Sequence, residues 1–328
     1  MIRIAVDAMG GDYAPAEIIK GAVSASLDYP VSIILVGDEG RIRRELGHYR
    51  KKGDISIFHA SEVIKNDESP VSAVKQKKNS SINVAVSLVK TKSADAFISA
   101  GNTGALMAAS LFGLGRIPGI ERPAITTIFP TKTGPVVLLD MGANVDCKPK
   151  HLQQFGEMGS AYAEHVMHIK NPRVGLLNIG EEKEKGNELV VLSWPLLKET
   201  KINFIGNVEA KEILSGKVDV IVCDGFVGNL ILKFGESISD FIVAQLKKEL
   251  AKNFVTMFAT FLLLPALAGL KKSVDYDESG GAPMLGINGI VFKAHGRAKA
   301  KAIRNAVRVT YDAAREDLVG CISKMEAK

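Results

Sequence analysis

Apolar positions along the chain fall into short β-branched runs that alternate with longer stretches of helical period. That is the pattern of a largely parallel sheet covered by helices on both faces. Strand-like runs stand at 2–6, 31–36, 55–58, 95–98, 173–178, 202–205 and 218–223. Helical patterns occupy 15–25, 39–51, 81–90, the stretch after Gly104, 149–168, the stretch ending at Leu197, and the one after Asn229, where Leu230, Phe234, Ile238 and Phe241 share a stripe. Runs at 124–129 and 135–139 are parted only by turn residues and predict an antiparallel hairpin. The stretch 62–81, with Lys75, Lys77 and Lys78, reads as a solvated face or mobile loop. A glycine-rich loop at 280–286 leads into a strand at 287–292, and an alanine-rich basic helix closes the chain.

Most of the strands end in the same way. Val218–Cys223 is followed by Asp224-Gly225 and Gly228-Asn229, and then a helix begins. Glycines allow the tight turn, while free N–H groups and the positive helix end gather where the chain reverses, which suits an anion. The competing reading is that Asp224 or Asn229 only caps the helix. Comparable junctions recur at Asp7–Asp12, at Ser99–Ala105 with Asn102, Thr103 and Gly104, and at Asp140–Asp146 with Asn144. Others stand at Asn178–Asn187 and before His295, which is either a ligand-binding or a structural histidine. At Lys185-Gly186-Asn187 a cation stands at a helix start, where it opposes the dipole and lacks a stability rationale.

Composition narrows the classes. With 328 residues, 46% hydrophobic and 24% charged, the chain is long enough for one large α/β domain or two lobes. The net charge of +6 favours acidic partners, but no Lys/Arg tract interleaves with aromatics, so nucleic acid is not an expected partner. Cys147, Cys223 and Cys321 have no Cys-x-x-Cys spacing and read as free thiols of a reducing, cytoplasmic compartment. Residues 1–7 enter a strand at once, without the layout of a signal peptide. His165 and His168 read as a surface pair rather than metal ligands, and no metal or cofactor is expected. Gly113–Pro118 lacks the third glycine of a dinucleotide fingerprint, and neither phosphate-loop nor nucleophile-elbow motifs occur.

One segment stands apart. Residues 254–270 carry no charge, are rich in Phe and Leu and contain Pro265, too short and too broken to span a bilayer. Lys247, Lys248 and Lys252 precede it, and Lys271 and Lys272 follow. This predicts an apolar helical hairpin over 251–272, with Phe254, Phe258, Phe261 and Leu262 contacting either an anionic membrane surface or a partner subunit.

What remains is a set of Asn, Asp, Lys and Gly at strand ends, without an obvious protein nucleophile. Such a site works by holding reactants and stabilising charge. The runs Asp7–Asp12, Ser99–Ala105, Leu139–Asn144, Asn178–Glu182 with Lys185–Asn187, Val222–Asn229, Gly281–Gly286 and Ala294–Gly296 together resemble the bacterial phosphate acyltransferases of phospholipid synthesis. The resemblance covers nearly the whole chain, although Ala210 stands where the family pattern has glycine. It implies a three-layer α/β/α sandwich like the isocitrate and isopropylmalate dehydrogenases, one domain over 1–328 folded as two lobes around a cleft, and a homodimer. It also implies transfer of a fatty acyl group from acyl carrier protein to inorganic phosphate, the product passing to a membrane glycerol-3-phosphate acyltransferase. On that basis Lys185 is expected to neutralise developing charge and Asn229 to donate to the oxyanion or phosphate. Asn102, Thr103, Gly104, Asn144, Asn187 and His295 would then position substrate, and Asp140, Asp146 and Asp224 would organise those donors.

Overall fold

A computed structural model describes residues 1–254, 256–257, 260–263, 269 and 280–326. The first half of the chain contributes β1 (Ile2–Asp7), α1 (Ala16–Asp28), β2 (Val31–Gly37), α2 (Glu39–Leu46), β3 (Ile55–His59), α3 (Pro70–Gln76), α4 (Ser81–Lys90), β4 (Ala96–Ser99) and α5 (Thr103–Gly113). There follow β5 (Ala124–Pro130), β6 (Pro135–Leu139), α6 (Pro149–His165), β7 (Arg173–Asn178), α7 (Glu188–Glu199), β8 (Asn203–Glu209), β9 (Val220–Val222) and α8 (Gly225–Leu250). Two short strands, β10 (Ala282–Leu285) and β11 (Ile290–Lys293), return to the middle of the sheet before α9 (Ala300–Arg315) and α10 (Leu318–Glu326).

All the strands join one 11-stranded sheet in the order β3-β2-β1-β4-β11-β10-β5-β6-β9-β7-β8. β3, β2, β1, β4 and β11 are mutually parallel, and so are β6, β9, β7 and β8. β10 and β5 lie between them and pair antiparallel with each other and with their outer neighbours. The two parallel blocks therefore run in opposite directions.

Alternation along each strand sorts side chains to the two faces. Ile4, Val6, Val137 and Leu139 join one continuous core that crosses both blocks beneath α1, α6 and α9. On the other face the core is divided. Ala5, Ile82, Phe97 and Leu106 form one cluster and Val136, Leu138, Val208 and Ile221 another, and among the described residues the only neighbour common to both is Ile125. That division marks the boundary between the two halves of the sheet on this side.

Three sequence expectations need correction. Residues 62–81 are not simply a loop: Pro70 starts α3, Ala73 and Val74 are buried, and Lys77 pairs with Glu68 at 2.6 Å while donating to the Val63 carbonyl. The lysines obscured an apolar pair that anchors the turn. Within 280–286, residues 282–285 are strand β10; the glycines at 280, 281 and 286, all with positive φ, form its corners. Helix α6 ends at His165, and His168 follows with φ 57°, so the two histidines do not stack one turn apart.

Helix α8 is the element least covered by the fold. In its 26 residues only Gly225 and Gly228 are buried, and Leu230, Phe234 and Phe241 each stand more than half exposed. Half of the hairpin expected at 251–272 lies outside the described residues, Phe258 included. Phe254 is 90% exposed, and Phe261 and Leu262 are exposed as well. Among the described residues, no helix is long and apolar enough to cross a membrane.

Candidate active site

β9 is flanked by β6 and β7, with Leu139 and Leu176 both opposite Val222. Their C-terminal turns consequently emerge together, bringing 140–146, 224–229 and 178–187 to one edge. The turn after β6 is built around Asp140. Its buried carboxylate accepts N–H bonds from Ile125 (2.9 Å), Ala143 (3.2 Å) and Asn144 (2.7 Å), and from the Asn144 side-chain amide (2.9 Å). Burial raises its pKa above the usual carboxylate range, against the pull of those donors. Asn144 spends its other amide hydrogen on the Pro123 carbonyl at 2.7 Å, and its own carbonyl accepts from Gly225 N at 2.8 Å. Both Asn144 donors are thus used inside the turn, so this residue shapes the site rather than reaching out from it.

The start of α8 locks into this turn. Asp224 caps the helix, its Oδ1 accepting from Phe226 N and Val227 N at 2.9 and 3.0 Å. Gly228 packs on the Asp140 carbonyl. Asn229 is exposed, lies over Gly142, and makes no side-chain hydrogen bond among the described residues. Its amide is therefore available to a ligand beside a helix N-terminus. Of the two readings of this turn, the cap belongs to Asp224 and the free donor to Asn229.

Lys185 is exposed and without an ion pair among the described residues. Its loop is fixed from below: Asn178 donates to the Lys185 carbonyl (2.8 Å), and Asn207 donates to the Glu182 carbonyl (2.8 Å). Asn187 is the N-cap of α7, accepting from Val190 N at 3.0 Å, and Asp146 is exposed. Two thiols lie close to the turn. Burial pushes Cys147 up to about 12 and Cys223 well above the usual thiol value. Neither supplies a thiolate at neutral pH.

The other parallel block holds the remaining candidates. Asn102 caps α5 through Ala105 N (3.0 Å) and donates to the Lys65 and Asn66 carbonyls, so its bonds stay within that block. Thr103 and Gly104 are exposed at the same helix start. His295 Nδ1 accepts from Arg297 N, and its Nε2 stands 3.9 Å from Glu236 Oε1. Glu236 lies on α8 seven residues beyond Asn229, about 10 Å along the axis. Helix α8 therefore links the two halves, with Asn229 at one and Glu236 at the other.

The Asp7 and Ser99 junctions meet in this block, together with Lys293, which the sequence pattern did not single out. Asp7 is fully buried and accepts from Ser99 Oγ at 2.7 Å and Met9 N at 3.1 Å. Lys293 Nζ donates to the carbonyls of Ala100 (3.2 Å) and Ala294. Burial lowers its pKa to about 8, although Asp7 and Asp12 favour the charged form. The available signal was a lysine at the end of an otherwise apolar strand.

The mixed sheet with helices on both faces is a fold shared with solved phosphotransacetylases and 4-hydroxythreonine-4-phosphate dehydrogenases. The EutD phosphotransacetylase from Staphylococcus aureus matches with TM-score 0.62 and 16% identity, over 95% of this chain and 94% of that one. A 4-hydroxythreonine-4-phosphate dehydrogenase from Klebsiella pneumoniae matches with TM-score 0.56 and 13% identity, over 96% and 100%. At these identities the likeness is one of fold.

Sequence similarity goes further. The family model described as "Fatty acid synthesis protein" matches residues 2–320. Phosphate acyltransferases from Pelotomaculum thermopropionicum (51% identical; 100% of this chain, 97% of that one) and Desulforamulus reducens (52%; 99% and 97%) are similar along nearly their full length. The chain belongs to the bacterial phosphate acyltransferase family and is a transferase.

Proposed function

We propose that the protein transfers a fatty acyl group from the thioester of acyl carrier protein to inorganic phosphate, with no covalent enzyme intermediate. A phosphate oxygen attacks the thioester carbonyl, a tetrahedral oxyanion forms, and the C–S bond breaks. The thiolate takes the proton that hydrogen phosphate gives up, leaving acyl phosphate and free carrier protein. The observation that carries this reading is Asn229, a free amide donor held over Gly142 by the Asp140 turn, with the nearest thiols locked in neutral form. Lys185 neutralises charge that builds on phosphate and oxyanion. Asp140 and Asp224 keep the turn in shape, while Thr103, Gly104, Asn187 and His295 line the remainder of a cleft between two lobes of one domain.

Other parts of the molecule suit this role. The exposed stripe of α8 and the exposed Phe254, Met257, Phe261, Leu262 and Leu263 form the contact to a second copy and to the cytoplasmic membrane surface. There acyl phosphate passes to a glycerol-3-phosphate acyltransferase. Incubating the protein with acyl-carrier protein and phosphate tests the reading directly; absence of acyl phosphate would end it. Lys185→Ala and Asn229→Ala should each lower turnover roughly 10²-fold.

A further inference from the structure

Outside the Asn229 turn, a cavity of about 420 Å³ is lined by Arg116, Glu121, Arg122, Lys148 and His151. Its charge is unbalanced, with three permanent cations against one carboxylate. His151 Nδ1 accepts from Lys148 N at 3.1 Å, so its Nε2 carries the proton and donates to Glu121 Oε2, also at 3.1 Å. Burial, opposed by Glu121 and helped by Arg122 and Lys148, lowers the His151 pKa and so favours the neutral ring. Glu121 is thereby committed to a neutral partner. One Arg116 donor goes to the Glu121 carbonyl, while the side chains of Arg122 and Lys148 have no partner among the described residues.

The walls are preformed. Buried Gln154 of α6 donates to the Gly119 carbonyl (2.8 Å) and accepts from Glu121 N (2.9 Å), fixing the loop that carries Arg122. Lys148 stands at the start of α6, so the positive helix end adds to the cationic field. Guanidinium forks on a rigid loop match the oxygen geometry of a phosphoryl group.

Position identifies which phosphoryl group fits. Pro123, next to Arg122, accepts the Asn144 amide, and Cys147, next to Lys148, donates its Sγ–H to the Asn144 carbonyl at 3.4 Å. The cavity and Asn229 thus flank a single turn. Inorganic phosphate must touch the reacting carbon and belongs beside Asn229. A carrier-protein thioester has a second anionic group, the phosphodiester of its pantetheine arm, well separated from the reacting carbon. We propose that Arg116, Arg122 and Lys148 bind that phosphodiester and so orient the acyl donor. This assignment rests on the proposed reaction for its donor, but direct binding tests it without turnover.

Calorimetry with the full-length protein would compare 4′-phosphopantetheine with pantetheine. The phosphorylated arm should bind about tenfold more tightly, and the doubly substituted Arg122→Gln, Lys148→Gln protein should lose that difference while keeping its melting temperature. In turnover, the same protein should show about a tenfold higher KM for acyl-phosphopantetheine, with the KM for inorganic phosphate unmoved. If the double substitution unfolds the chain, Arg122→Lys alone should still narrow the gap between the two arms. Equal binding of both arms by the unaltered protein would overturn the proposal. So would a rise confined to the KM for inorganic phosphate, because the cavity would then hold the co-substrate. Failure of the unaltered protein to make acyl phosphate would refute the reaction, while the calorimetric comparison would still decide the site.

Discussion

Gly228 lies directly against the carbonyl of Asp140: a Cβ at this position would overlap that oxygen and come within 3.1 Å of the Cys223 sulfur. Helix α8 can pack its first turn onto the strand ends only because this residue has no side chain. An exposed Gly→Ala change inside a helix would gain about 1 kcal/mol. Here Gly228→Ala must push α8 off the Asp140 turn, costing roughly 1–3 kcal/mol and shifting Asn229 from Gly142. Thermal melting and an acyl phosphate assay should both report the loss, with turnover the more sensitive. Unchanged values in both would disprove the packing argument.

Asp140 itself should be intolerant of its amide isostere. Four N–H groups converge on its carboxylate. Asn at this position keeps one acceptor oxygen and turns its own N–H₂ toward those donors, leaving buried groups unpaired. Asp140→Asn is expected to destabilise by about 3 kcal/mol. Denaturant unfolding measures this, and a cost below about 1 kcal/mol would mean that the four contacts are not a single network.

Lys293 leads to a pH prediction. Its amine, buried and bonded to two carbonyls, should lose its proton at about pH 8, well before an exposed lysine. Between about 8 and about 10.4 the folded protein then holds fewer protons than the unfolded chain, so this group's contribution to stability rises with pH across that window. Function should move the opposite way, because a neutral amine holds the Ala100 carbonyl, and with it the start of α5, less firmly. Lysine-labelled NMR should show one amine titrating near 8 that vanishes in Lys293→Arg. kcat/KM should decline above that pH in the unaltered protein only. A lysine spectrum without such a titration would contradict the buried clamp.

Strand–turn–helix junctions were readable in the sequence because period, β-branching and glycine placement are local properties. Asp224 and Asn229 could be placed at the mouth of α8 from those signals alone. Which of them would cap and which would remain free could not, because that depends on Gly142 approaching from another strand. Arg122 and Lys148 were invisible for the same reason. They are 26 positions apart in sequence and meet only when Gln154 ties the 119–123 loop to α6. The α8 stripe was legible as apolar, but period cannot tell a core-facing stripe from one that the monomer leaves exposed.

Thr126, in β5, tests how the centre of the sheet tolerates polarity. Its side chain is fully buried, and its hydroxyl makes no hydrogen bond among the described residues. An unpaired buried hydroxyl forfeits its hydration without recompense, costing about 1–3 kcal/mol. Valine has nearly the same shape and suits a strand position paired with Leu139. Thr126→Val should therefore stabilise by about 1 kcal/mol, raising the melting temperature by roughly 1–3 °C with unchanged turnover. Ser110, equally buried and unpaired in α5, provides the helical counterpart, since Ser110→Ala removes the hydroxyl and improves helix propensity. Should both substitutions destabilise, the two hydroxyls must be satisfied in solution, by bound water for example, and the cost assigned to them here would be wrong.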